Sequence, residues 1–259
     1  LSDSGILVAC RVLAGYKALL DNFDIKELHV FGTAPLRNIV NTEEALDTIR
    51  AVTGVGVEVL SGADEAALSF LGATGGGGAP AAGLLADIGG GSTELVAYEN
   101  CAITSGCSLP MGSLSLFTDY VSGLFPTREE RRALRNRVEN ELERASTAGV
   151  HCAHLTGVGG TIRAAAKLYN ACSGADPANR VIPAEELRGL YKELKKGDQG
   201  TLRQILRTAP DRVHTILPGL VILNAVVKSY GVETISVSAC GVREGYLLQR
   251  VMGVENHDE

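Results

Sequence analysis

The sequence predicts an α/β fold of two lobes, and three observations carry that prediction. Short apolar β-runs alternate with stretches at helical spacing along most of the chain. Two glycine turns follow strand ends, where open α/β sheets place their ligand loops. A run of consecutive glycines separates the first strands and helices from the remainder, and the composition changes there.

Each element follows from its residues. Residues 5–22 (GILVACRVLAGYKALLDN) set apolar groups at helical spacing, so a helix opens the chain. ELHVFGTA (27–34) reads as a strand ending at Gly32-Thr33. TEEALDTIRAVTG (42–54) reads as a helix, with Thr42 as its candidate N-cap and Gly54 as its stop. VGVEVLSG (55–62) is a second strand and ADEAALSFLGA (63–73) a second helix. TGGGGAP (74–80) cannot hold regular structure cheaply and marks a flexible loop or lobe junction. Residues 84–88 and 93–98 form strands around DIGGGST, and 127–145 is a strongly charged amphipathic helix, read mainly as a solvated face and less readily as an interface. HLTGVGG is strand to turn, TIRAAAKLYN a helix, and residues 185–206 two polar helices broken around Gly197–Gly200. Helix 219–231, strand 234–239 and a final helix from Gly241 complete the chain. The predicted lobes are 1–72 and 73–241, with the helix at 242–259 packing back on the first.

Composition narrows the function. The 259 residues are 45% hydrophobic and 21% charged with a mean hydropathy of +0.12, as in a soluble globular protein. No apolar run is long enough to span a bilayer, and no basic-then-apolar leader opens the chain, so the expectation is a cytoplasmic protein without a membrane partner. A net charge of −6, few aromatics and no Trp argue against DNA or RNA as partner. The net charge leaves a local phosphate pocket possible, because backbone N–H groups, an arginine and a metal can make one inside an acidic protein. Six cysteines without CxxC pairs are expected as mostly buried, reduced thiols and not as a zinc site.

Four stretches hold chemistry-bearing residues. In LLADIGGGSTELV, Gly89, Gly90 and Gly91 free the backbone to turn N–H groups onto an anion, and Ser92 adds a hydroxyl. Asp87 before them is able to hold a magnesium ion through water, and Glu94 shares a strand face with Ser92. A plain structural hairpin explains the same glycines equally well. In TGVGGTIRAAAKL, Gly159 and Gly160 end a strand and Thr161 is a candidate cap for a helix whose N–H groups favour an anion or nucleotide. Arg37 follows a strand end, where a guanidinium clamps a phosphate or is simply solvated. Glu65 opens a helix after a Ser-Gly turn, a place also explained by the helix dipole.

Taken together these stretches resemble the exopolyphosphatase/guanosine pentaphosphate phosphohydrolase (Ppx/GppA) family, of the actin, Hsp70 and sugar-kinase (ribonuclease H-like) superfamily. GTAPLRNIVN, VEVLSGADEAALSFLGA, LLADIGGGSTELV, SLPMGSLSL, GVGGTIRAAAKL and VSACGVREGYLL carry the resemblance, in the family's order from about residue 28 to 250. The resemblance implies a two-lobed fold and hydrolysis of terminal phosphoanhydride bonds in inorganic polyphosphate or guanosine pentaphosphate. It implies Glu65 as the general base for water, Asp87 and Glu94 as magnesium ligands, and Gly89, Gly90, Gly91, Ser92 and Arg37 as phosphate contacts. Gly159, Gly160 and Thr161 would form the second glycine turn, facing a nucleotide. A homodimer is common in such families. Residues 1–27 do not match the family's leading phosphate loop, so the first lobe is expected to be incomplete at its N-terminus. That leaves two further readings: a non-catalytic phosphate- or nucleotide-binding member, and a sugar-kinase-like phosphotransferase, for which no sugar pocket is recognisable.

Overall fold

A computed structural model describes residues 1–75 and 80–254. The glycine run therefore falls largely on residues 76–79, outside the described residues. The chain divides into two compact units, Leu1–Gly62 and Ala63–Glu259.

The first unit contains α1 (Asp3–Asn22), β1 (Phe31–Gly32), α2 (Ala34–Arg37), α3 (Thr42–Thr53) and β2 (Glu58–Val59). Its core joins Ile6 and Cys10 of α1 to Ala45 and Ile49 of α3, with Leu13 and Val57 packed against them. The strands expected over 27–34 and 55–62 shrink to two residues each, paired parallel with Phe31 opposite Glu58. A sheet of two such strands has few ladder bonds, and Val57 is spent on the helix core instead. Helix α3 stops as read: Gly54 is left-handed at φ 70° and donates to the Arg50 carbonyl. Its start is a correction. Asn41, not Thr42, is the N-cap, because the Thr42 hydroxyl donates to the Leu36 and Ile39 carbonyls at 2.7 and 3.0 Å.

The second unit is built on six strands. In order come α4 (Gly62–Thr74), β3 (Ala82–Ile88), β4 (Thr93–Glu99), β5 (Ala102–Leu109), α5 (Ser113–Tyr120), α6 (Arg128–Glu143), β6 (His154–Val158), α7 (Gly160–Ser173), β7 (Val181–Pro183), α8 (Ala184–Leu194), α9 (Gln199–Thr208), a 3-10 turn (Pro210–Arg212), α10 (Ile216–Ser229), β8 (Thr234–Val237) and α11 (Val242–Tyr246), which runs on as a π-turn (Leu247–Val251). The sheet order is β5-β4-β3-β6-β8-β7. β3, β6 and β8 are parallel, and β4 is antiparallel to both its neighbours. A meander feeding crossover helices is the α/β arrangement that the alternating pattern predicts.

Two layers cover this sheet. Leu84, Ala86 and Ile88 of β3 and Leu95 of β4 point into the main core with Ile162 of α7 and Leu220 and Leu223 of α10. Strand alternation sends Leu85, Val96 and Tyr98 to the other face, where Ala66 and Phe70 of α4 cover them and the Phe70 and Tyr98 rings lie 5.1 Å apart. Helix α4, placed with the first lobe from sequence, is thus packed on the sheet of the second unit, and α11 packs in turn on α4.

The cysteines correct one expectation. Only Cys10 is buried; Cys101 and Cys172 are exposed, the first in the left-handed tip joining β4 to β5 and the second in the last turn of α7. Among the described residues, no helix is long and apolar enough to cross a membrane.

Candidate active site

The same alternation that builds the α4 face also builds the site. On β3, Asp87 follows Leu85 by two residues; on β4, Glu94 precedes Val96 by two; on α4, Glu65 and Ser69 lie one residue before Ala66 and Phe70. The apolar layer of Ala66, Phe70, Leu85, Val96 and Tyr98 is therefore continued by a polar layer of Glu65, Ser69, Asp87 and Glu94. Asp87 and Glu94 are directly opposite in the β3–β4 register, a relation that holds Cβ atoms roughly 5 Å apart.

These acids are largely out of water. Glu65 is 7% exposed and Glu94 only 1%. Burial raises the Asp87 carboxyl above the ordinary carboxylate range; Ser69, whose hydroxyl donates to Oδ2 at 2.7 Å, opposes that shift, the charge of Glu65 adds to it and Arg163 of α7 opposes it. Glu94 is pushed up to about 8, first by burial and then by the charges of Glu65 and Asp87. Hydrogen bonds from Ser108, 2.7 Å from Oε1, and from Ser92 work against this. Like charges at directly opposite positions destabilise a sheet, and buried charges are expensive without a counter-charge. The arrangement is unfavourable for the empty protein and favourable for one that receives a cation. Among the described residues no three ligand-type groups form a cage by themselves. Asp87 and Glu94 supply two carboxylates, the donor set of a hard divalent ion that keeps water and takes its other oxygens from a phosphate.

The glycine turn lies at the end of this pair. Gly89 N–H is used inside the turn, donating to the Ser92 carbonyl at 3.0 Å, while the Gly89 and Gly90 carbonyls accept from Ser113, Leu114 and Ser115 at the start of α5. Carbonyls are thus drawn away toward α5. The N–H groups of Gly90, Gly91 and Ser92 have no acceptor among the described residues. The packing of α5 on the turn is close: a Cβ on Gly112 would lie 2.3 Å from the Gly90 carbonyl. The donors offered to an anion are therefore Gly90, Gly91 and Ser92, with Gly89 closing the loop.

The second glycine turn meets the first. Gly159 has φ 97°, and a Cβ there would stand 2.7 Å from the Ile88 carbonyl and 2.8 Å from Asp87 Oδ1. Glycine is required on both counts. Gly159 is also the N-cap of α7, which corrects the reading of Thr161 as cap. Thr161 is 1% exposed, and its methyl packs where α10 passes at Gly219. Arg37 lies in the first unit, on α2, and donates to the Leu60 carbonyl at 2.8 Å.

Four contributors escaped the sequence reading. Ser69 was open to discovery, because it stands one helical turn after Glu65. Ser108, Arg163 and Arg212 come from β5, α7 and the 3-10 turn, and only folding brings them in; the Arg212 guanidinium covers Gly160 closely.

Comparison with known proteins follows the same line. A model described as the Ppx/GppA phosphatase family matches residues 1–253. The chain is similar to Exopolyphosphatase 1 of Mycobacterium leprae, 28% identical over 231 residues that cover 87% of this chain and 68% of that protein. It is also similar to guanosine-5'-triphosphate,3'-diphosphate pyrophosphatase of Photobacterium profundum, 24% identical, spanning 100% of this chain and 52% of that protein. The crystal structure of the Aquifex aeolicus Ppx/GppA family member superposes with a TM-score of 0.78 at 26% identity, covering 97% of this chain and 83% of that one. An exopolyphosphatase structure from Cytophaga hutchinsonii shares the fold with a TM-score of 0.82 at 22% identity, over 98% and 84% of the two chains.

Proposed function

The chain belongs to the Ppx/GppA phosphatase family, and from that premise we propose that it is an exopolyphosphatase: it removes the terminal phosphate of inorganic polyphosphate, with guanosine pentaphosphate as the second substrate class. The observation that carries the proposal is the convergence of Glu65, Asp87 and Glu94 on one buried face beside a turn that offers the unbonded N–H groups of Gly90, Gly91 and Ser92.

Each group has a task in such a reaction. The three N–H groups and the Ser92 hydroxyl bind the oxygens of the phosphate under attack, and fixed dipoles of this kind need no reorganisation as charge develops. Asp87 and Glu94 would hold magnesium, which when bound supplies charge neutralisation on phosphoryl oxygens. Ser69 and Ser108 fix the orientation of those carboxylates through their 2.7 Å hydrogen bonds. Glu65 takes the proton of the attacking water, as a carboxylate within hydrogen-bond reach of it. Gly159 and Gly160, at the second glycine turn, receive the nucleotide when guanosine pentaphosphate is the substrate.

The test is phosphate release from long-chain polyphosphate with magnesium, wild type against Glu65→Gln. Release that falls by roughly 100-fold or more in the variant, the scale of a general base, supports hydrolysis with Glu65 in that role. Absence of release from both proteins, with polyphosphate still bound, would replace the proposal by a non-catalytic phosphate-binding member.

A further inference from the structure

A cavity of about 1080 Å³ opens between α6, α8 and α10 of the second unit. Helical spacing explains how its walls are made. On α6, Arg128, Arg131, Arg132 and Arg135 recur at three- and four-residue steps and share one face. On α8, Arg188 and Tyr191 do the same, with Lys195 following as the C-cap, and α10 adds Asn224 and Lys228 one turn apart. Seven cations face two carboxylates, Glu129 and Glu139, in a chain whose net charge is −6.

The two carboxylates of the lining leave most of that charge unbalanced. Among the described residues none of the seven cations takes part in a salt bridge. The Tyr191 hydroxyl is buried in the same wall beside the guanidiniums of Arg131 and Arg135. Like charges one turn apart weaken a helix, so α6 would be more stable with this face mixed in sign. A concave surface that gathers cations at such a cost is suited to an anion that relieves it.

We infer that this cavity is a second anion site, separate from the glycine-turn cradle, and that it takes a linear oligophosphate. Separation follows from α10: Gly219 packs on Thr161 and Ser113 beside the glycine turns, whereas Asn224 and Lys228 come roughly 7 and 13 Å further along the helix axis. A single inorganic phosphate cannot neutralise cations spread over three helices, while several phosphates in series match both the volume and the number of guanidiniums, whose fork binds phosphate oxygens in pairs. Nucleic acid fits poorly, because Tyr191 is the only aromatic side chain in the lining and offers no platform for successive bases. The inference does not depend on turnover at Glu65.

Calorimetric titration with tripolyphosphate, magnesium chelated, tests it on the full chain. Wild type is expected to bind two equivalents, one in the cradle and one in the cavity. Arg132→Ala with Arg188→Ala should weaken one of them at least tenfold, and Arg132→Lys with Arg188→Lys should restore most of that loss, which separates lost charge from lost folding. Phosphate release should change less than twofold in the lysine pair. GTP in place of tripolyphosphate identifies the source: equal affinity points to the phosphate chain alone, tighter GTP to a nucleoside polyphosphate, and both uphold the site. Binding that the alanine pair leaves unaltered, whether one equivalent or two, would overturn it, whereas a single equivalent lost in that pair would uphold the cavity and count against the cradle. Two equivalents, with no phosphate release in a separate assay that supplies magnesium, would uphold the cavity and refute the hydrolase reading.

Discussion

Replacing Gly245 by Ala tests the packing of α11 against α4, and its sign is not obvious in advance. Alanine is the better helix former by about 1 kcal/mol, so an exposed helical glycine gains stability from the change. Gly245 is not exposed. A Cβ there would lie 1.8 Å from the Leu68 carbonyl oxygen and 3.1 Å from Gly72 N, both backbone atoms of α4. Carbon to carbonyl oxygen contacts settle near 3.3 Å or more, so the helices must separate by about 1.5 Å. Overpacking relieved only by backbone movement belongs at the upper end of the usual range, about 3 kcal/mol. The net is a loss of about 2 kcal/mol, or roughly 4–8 °C in Tm for a unit of this size. Gly189, inside α8 with nothing within 4 Å of its added Cβ, is the control. There the same substitution should raise Tm by a few degrees. Activity adds a second readout, since α11 begins at Gly241, whose Cβ position is 3.8 Å from Asp87 Oδ2: Gly245→Ala should lose phosphate release at temperatures where it is still folded, and Gly189→Ala should not. Equal melting of Gly245→Ala and wild type would refute the argument from contact distance.

Ser69→Ala removes the hydroxyl 2.7 Å from Asp87 Oδ2, and the magnesium concentration for half-maximal phosphate release should rise several-fold while far-UV circular dichroism is unchanged. Gly159→Ala places a side chain at φ 97° against Ile88 and Asp87, so release should fall at least 100-fold, and a wild-type rate would show that the two glycine turns do not meet as described. Glu130 closes a capping box at the start of α6, and its carboxyl is held down to about 2 by the Thr127 backbone N–H first and by Ser122. A depressed folded-state value contributes stability at pH above the ordinary carboxylate range, lost as pH falls toward about 2. In urea denaturation Glu130→Gln should therefore be less stable than wild type at neutral pH and converge with it in acid; a constant gap across that window would sink the assignment.

What the sequence disclosed and what it withheld divide along a physical line. Elements written in local pattern were legible: the β3–β4 hairpin, the helix stop at Gly54 and the charged helix α6 all lie where composition and spacing put them. Elements made by tertiary partners were not. β5 is mostly exposed and polar and is a strand because β4 pairs with it from Thr93 to Glu99. The eight-residue α5 is anchored by the Gly89 and Gly90 carbonyls, which no window around Ser113 contains. β1 and β2 err in the opposite sense: their apolar runs promise full strands, but only two residues of each pair, and Val57 packs on the helix core instead.

The site obeys the same division, with one instructive exception. Asp87, Ser92 and Glu94 share a single turn and could be read together, whereas Ser108 and Arg163 reach them only through the sheet and α7. Ser69 sits between these cases. Once β3 and β4 are recognised, period-two alternation forces Asp87 to the face of Leu85 and Glu94 to that of Val96 and Tyr98. Any helix covering that face must match it, apolar over Leu85 and polar over Asp87. Along residues 63–74 the pairs Glu65/Ser69 and Ala66/Phe70 recur one turn apart with that order, so α4 is the segment whose two rows fit both layers at once. The position of the proposed base beside the acid pair is thus a consequence of two periodicities meeting, 3.6 on the helix and 2 on the strands, rather than of any motif that contains all three carboxylates.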